Sequence, residues 1–241
     1  MSIQSYIYQD PQEASAACAV KILQLLTESL AKAPLATIAI SGGSTPKLLF
    51  GEMAKAGFDW SRVHLFWVDE RGVPPTDPQS NYKLAKEHLI DPAGFPAENV
   101  HRIQAELDPK TAAQLYVEDL RRFFHLEPGA FPHFDIIHRG MGPDTHTASL
   151  FPGEPLIQDH EHLAAAAYVE KFHQWRITLL PGVLEAARNT IMLVAGGDKA
   201  EPLHTVLHEP YDPMKHPVQI ATQDGGNVLW FLDKPAARLL N

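Results

Sequence analysis

Short apolar runs alternate with helix-patterned segments along nearly the whole chain, and this alternation limits the fold more than any other feature. The strand-like runs are LATIAI at 35–40, RVHLFWVDE at 62–70, NVHRI at 99–103, FDIIHRG at 134–140, HLAAAAYVE at 162–170, WRITLL at 175–180, TIMLVAG at 190–196 and NVLWFLD at 227–233. Between them lie helical patterns at 10–33, from Pro46 to about residue 56, at 82–90, 108–126, 181–189, from the GDK turn to Leu207, and 234–240. Two of these helices open on Asp-Pro, with the acid as cap and proline at the first helical position, and Glu13 completes a capping box in the first. Strands that alternate with helices predict an α/β fold: a doubly wound, mostly parallel, Rossmann-like sheet with helices on both faces and small added elements. No linker, repeat or low-complexity segment divides residues 1–241, so one domain is expected.

In such sheets ligands bind beyond the carboxyl ends of the strands, so the loops there hold the candidate chemistry. SGGST at 41–45 follows one strand, and Pro46 opens the next helix. Free amides at a helix N-terminus suit a phosphate; Gly42 and Gly43 let it approach, and Ser44 and Thr45 add hydroxyl donors. The alternative is a plain turn in which Thr45 caps the helix. The loop lacks the spacing of a Walker motif. Asp69, Glu70 and Arg71 fall at another strand end, where a carboxylate can handle a proton and an arginine can hold an anion. A salt-bridged surface would look the same.

RGMGPDTHTASLFPG at 139–153 begins like a dinucleotide fingerprint, but Thr145 occupies the third glycine position. Asp144 instead stands two residues before His146, an arrangement in which a carboxylate can orient an imidazole base. A turn with an ordinary histidine is the alternative among 13 histidines. Arg176 and Lys199 are cations beside strand ends, although Arg176 opens its strand rather than closing it. DHEH at 159–162 lacks the spacing of a helical zinc pair and is expected to be a solvated loop; no metal is expected.

The formal net charge of −9 argues against a nucleic-acid partner, so an anionic ligand must be held by a local site. The N-terminus lacks a signal-peptide pattern, no run is long enough to span a membrane, and the single cysteine cannot form an internal disulfide. A cytoplasmic protein is expected, a monomer or small homo-oligomer, with no membrane partner.

Taken in order, SGGSTPKLLF, the segment RVHLFWVDERGVPPTDPQSNYKLAKEHLI, AENVHRI, FDIIHRGMGPDTHTASLFPG and RITLLPGVLEAARNTIMLVAGGDKAEPL resemble the 6-phosphogluconolactonase family, relatives of the glucosamine-6-phosphate deaminases. The resemblance implies hydrolysis of 6-phospho-D-glucono-1,5-lactone to 6-phosphogluconate without cofactor or metal. It implies that His146 is the catalytic base and that Asp144 orients it, with Arg71 or the amides of the 140–146 turn stabilising the oxyanion. Asp69 matches a ligand-contacting acid of the deaminases. The substrate phosphate would lie on Gly42, Gly43, Ser44, Thr45, Arg176 and Lys199.

Three departures from the family pattern stand out. Thr145 stands where glycine is common and would be strained at positive φ; His138 and Arg139 replace apolar residues; Gly72 replaces a larger one. Two rivals share the fold. A deaminase would need a further acid after the D-x-H turn, where this chain has TASLFPG. A non-catalytic sugar-phosphate sensor would need a DNA-binding domain, and the α/β pattern is under way by residue 35.

Overall fold

A computed structural model describes residues 4–220, 222 and 227–240. Its elements in chain order are β1 (Gln4–Tyr8), α1 (Pro11–Leu30), β2 (Ala36–Ile40), α2 (Ser44–Lys55), β3 (Val63–Trp67), β4 (Asp69–Arg71), α3 (Asn81–Ala85), α4 (Asp91–Ala93), β5 (Val100–His101), α5 (Pro109–Phe124), β6 (Ile136–Arg139), β7 (Ala164–Val169), β8 (Gln174–Leu179), α6 (Pro181–Glu185), β9 (Asn189–Val194), α7 (Ala200–His208), β10 (Asn227–Asp233) and α8 (Lys234–Ala237). A single π turn, Lys86–Ile90, joins α3 to α4.

Seven strands form one sheet in the order β1-β10-β9-β6-β2-β3-β5, and every pairing in it is parallel. β2 is buried along its whole length, as a strand covered on both faces requires. From β2 the chain moves outward through β3 to β5, then returns to β6 on the other side of β2 and continues outward to β9 and β10. The loops after β2 and β6 therefore diverge and leave a crevice at the switch point. The doubly wound expectation holds, and the helix starts follow their chemistry. Asp10 and Asp108 accept from Glu13 N and Thr111 N, each ahead of a proline. Glu13 reaches back to Gln9 N rather than to the cap residue itself.

Two differences from the sequence reading matter for the site. RVHLFWVDE is not one strand. Val68 donates to Ile40 O in the large sheet and accepts from Leu179 N in a second, and the chain then crosses into β4. That second sheet is antiparallel, β4-β8-β7, and it is the added element on the parallel core. The other difference is β1, which has no counterpart in the sequence reading. It is a short, largely exposed edge strand without an apolar run, held by Tyr6 and Tyr8 against Phe231.

Candidate active site

A cleft of about 240 Å³ opens at the switch point, large enough for one small solute. It is bordered by the loops after β2, β6 and β9 together with β4 and β8, and of the ten residues to which the resemblance gives a role only Asp144 is not on its wall.

The glycine loop forms one wall. Gly43 is the cap of α2, at φ 131°, and no side chain caps this helix. Thr45 therefore lies inside the first turn and is not the cap. Its first amides are left for a ligand, where the helix dipole favours negative charge. Gly42 is bare for a second reason: a Cβ there would fall 1.8 Å from Asn81 Oδ1. Asn81 fills that space and donates to Asp69 O at 2.8 Å, which ties the loop to β4.

Cations form the next wall. Arg71 on β4 and Arg176 on β8 are directly opposed in register. This resolves the puzzle of Arg176 at a strand start. β8 runs antiparallel to β4, so its beginning reaches the edge where β4 ends. Arg71 Nη1 donates to Gln79 O at 2.5 Å. Among the described residues the buried Nε atoms of both arginines lack a partner. Burial lowers the Arg176 pKa; Asp69 opposes that and Arg71 adds to it. Two opposed guanidiniums with spare donors are a place where an anion is favourable. Lys199, paired with Asp198, completes this wall.

Glu70, between Asp69 and Arg71, belongs to the frame. Its carboxylate accepts from the amides of Arg71, Asn81 and Tyr82 and from Ser80 Oγ, at 2.7–2.9 Å. Burial raises its pKa and these donors oppose the rise. Asp69 is buried but faces the cleft, and Ser149 Oγ donates to its Oδ2 at 2.7 Å.

The turn after β6 supplies the imidazole. His146 Nδ1 lies 2.5 Å from Asp144 Oδ1, so the ring's other nitrogen remains for the cleft. Asp144 stands behind the histidine. Burial pushes its carboxyl up, but bonds to His146 and Lys171, with their charges, outweigh this and hold it well below the usual range. His146 stacks on Phe151 at 4.2 Å between centroids. The turn packs tightly: a Cβ on Gly142 would fall 2.0 Å from His146 Nδ1.

Thr145 adopts φ 64°, the strained conformation foreseen for a β-branched residue. It is held there by Oγ1, bonded to Asp144 O at 2.6 Å and 3.2 Å from His216 Nδ1, and by Val218 N donating to its carbonyl. The amides of Gly142 and Thr145 bond within the turn, to His146 O and Gly142 O. Those two are thus unavailable to an oxyanion, and Arg71 becomes the better candidate. His138 and Arg139 are fully buried, and Arg139 Nη2 donates to Ile220 O. Gly72 packs under Trp175 O, where a Cβ would come within 2.9 Å.

The sequence reading missed the supports. Asn81 and Ser149 could have been suspected, because each lies inside a segment that carries the family resemblance. Lys171, Phe151 and Phe172 gave no sign, since only the antiparallel hairpin brings residues 171 and 172 back to the turn at 144–151. His160 and His162 pair with Glu185 and Asp159, and among the described residues no cluster of three metal-ligating side chains forms.

A doubly wound fold with a bare helix N-terminus, opposed arginines and a carboxylate-oriented imidazole at one switch point defines a class of small-anion-handling α/β proteins. The comparisons narrow it. A sequence model described as glucosamine-6-phosphate isomerases/6-phosphogluconolactonase matches residues 9–230, and the chain belongs to that family. It is 37% identical to a 6-phosphogluconolactonase of Synechocystis, covering 89% of each chain. It is 39% identical to a 6-phosphogluconolactonase of Haemophilus influenzae, covering 84% of this chain and 87% of that one. The solved structure of 6-phosphogluconolactonase from Trypanosoma brucei superposes with a TM-score of 0.90 at 26% identity, over 100% of this chain and 99% of that one.

Proposed function

We propose that residues 1–241 form one domain that hydrolyses 6-phospho-D-glucono-1,5-lactone to 6-phosphogluconate. The observation that carries this reading is the single cleft shared by His146 and the anion-holding wall. The phosphate rests on Gly42, Gly43, Ser44 and Thr45 with Arg176 and Lys199, which presents the lactone to the imidazole. His146 takes a proton from water, and the water oxygen attacks the lactone carbonyl carbon. Asp144 stabilises the imidazolium, and Arg71 meets the charge that develops on the carbonyl oxygen. The tetrahedral intermediate then collapses, the bond from that carbon to the ring oxygen breaks, and the imidazolium returns its proton to the departing oxygen. Asp69, fixed by Ser149, faces a substrate hydroxyl. No step calls for a metal or a cofactor.

Among the described residues no helix is long and apolar enough to cross a membrane, and a cytoplasmic location fits the chemistry proposed. The test is hydrolysis of phosphorylated against unphosphorylated glucono-1,5-lactone. A preference in kcat/KM of about 100-fold or more for the phosphorylated lactone is expected from several charge-assisted bonds. Equal rates would contradict the assignment of the anion wall.

A further inference from the structure

The hairpin between β7 and β8 carries two side chains that touch residues behind the imidazole and in the anion wall. Lys171 Nζ donates to Asp144 Oδ2 at 2.9 Å, on the oxygen that His146 does not use. Phe172, the next residue, lies under the Arg176 guanidinium at 5.1 Å and meets Phe151 edge-on at 5.9 Å. Phe151 in turn stacks on His146. Imidazole, aromatic pair and arginine thus form one continuous chain of contacts from the base to the anion wall. The tip is fixed in shape by His173 at φ 48° and its amide bond to Glu170 O.

We propose that this hairpin tip is a staple for the reaction, in which Lys171 is a positioning residue that holds Asp144 against His146 while Phe172 holds Arg176. The proposal rests on the reading of His146 and Asp144 given above and adds a residue to it. Lys171 has a chemical effect as well as a steric one. Its charge cancels part of the Asp144 charge that faces the imidazole. The other charged groups around the pair are Asp69, Arg71, Arg176 and Lys199 in the cleft, with Glu154 and Glu170 in the hollow outside Asp144. Only Lys171 bonds to Asp144 from the hairpin.

The test is the pH dependence of kcat/KM on 6-phosphogluconolactone for the full chain, for Lys171→Met and for Lys171→Arg. With the lysine charge gone, the Asp144 charge acts on the imidazole undiminished. The acidic limb of Lys171→Met therefore moves up by about half a pH unit, the scale of one partly exposed charge. Lys171→Arg restores the parent limb. In an Asp144→Asn background, where no carboxylate tethers the lysine near the ring, the methionine adds a smaller shift. A Lys171→Met limb that coincides with the parent's, or the same shift in the Asp144→Asn background, overturns the proposal and leaves His146 as the base. A parent profile with no acidic limb removes the base assignment, and the proposal with it.

Discussion

At the scale of the residue, the site is shaped as much by missing side chains as by present ones. Gly42 makes room for Asn81 and Gly142 for the ring of His146. Thr145 shows the opposite solution, a β-branched residue kept at positive φ by bonds to Asp144 O and Gly142 O and by the 216–218 segment. Gly142→Ala is expected to separate activity from stability. The new methyl collides with a side-chain ring that can swing away, so folding survives while the base is displaced. Turnover should fall about 100-fold or more, the size of a misplaced general base, with a urea midpoint close to the parent's. Full activity in this variant would mean that the ring position at the turn is not the working one.

At the scale of the element, what could be read in advance depended on how local the signal was. β2, β9 and β10 are mostly apolar on both faces, and α1 and α5 announce themselves by Asp-Pro starts, so their sequences suffice. The glycine loop and the D-x-H turn were legible for the same reason: each is a contiguous stretch with its own chemistry. β4 was read as the tail of β3, because nothing in RVHLFWVDE marks the change of sheet at Val68. β1 was missed, since its partner lies at the far end of the chain. The same lack of local signal hid the second sheet's consequence. Pairing β4 with β8 brings Arg71 and Arg176 together and carries Lys171 to Asp144, and only long-range register decides this. That Thr45 is not the cap of α2, and that Asp144 bonds the His146 ring, depends on geometry that spacing alone does not hold.

At the scale of the whole molecule, the departures at His138 and Arg139 place two ionisable groups in the centre of a parallel sheet. Burial holds the His138 pKa down to about 4, and among the described residues neither ring nitrogen has a partner. A histidine with a depressed folded value contributes stability above its unfolded value, near 6.5, and that contribution is lost as pH falls toward the folded one. Between pH 7.5 and pH 5 the parent should therefore lose about 2 kcal/mol that His138→Leu keeps, because leucine fills the space without a proton to bind. Urea titrations of both proteins at the two pH values check this; parallel losses would place the acid sensitivity elsewhere. The account of the molecule as a catalyst rests on the imidazole after β6. The direct measurement is kcat/KM on 6-phosphogluconolactone for His146→Ala beside the parent, with matched unfolding curves. A loss of about 100-fold or more in a folded variant is expected of a missing general base. Activity within a few-fold of the parent would contradict the account.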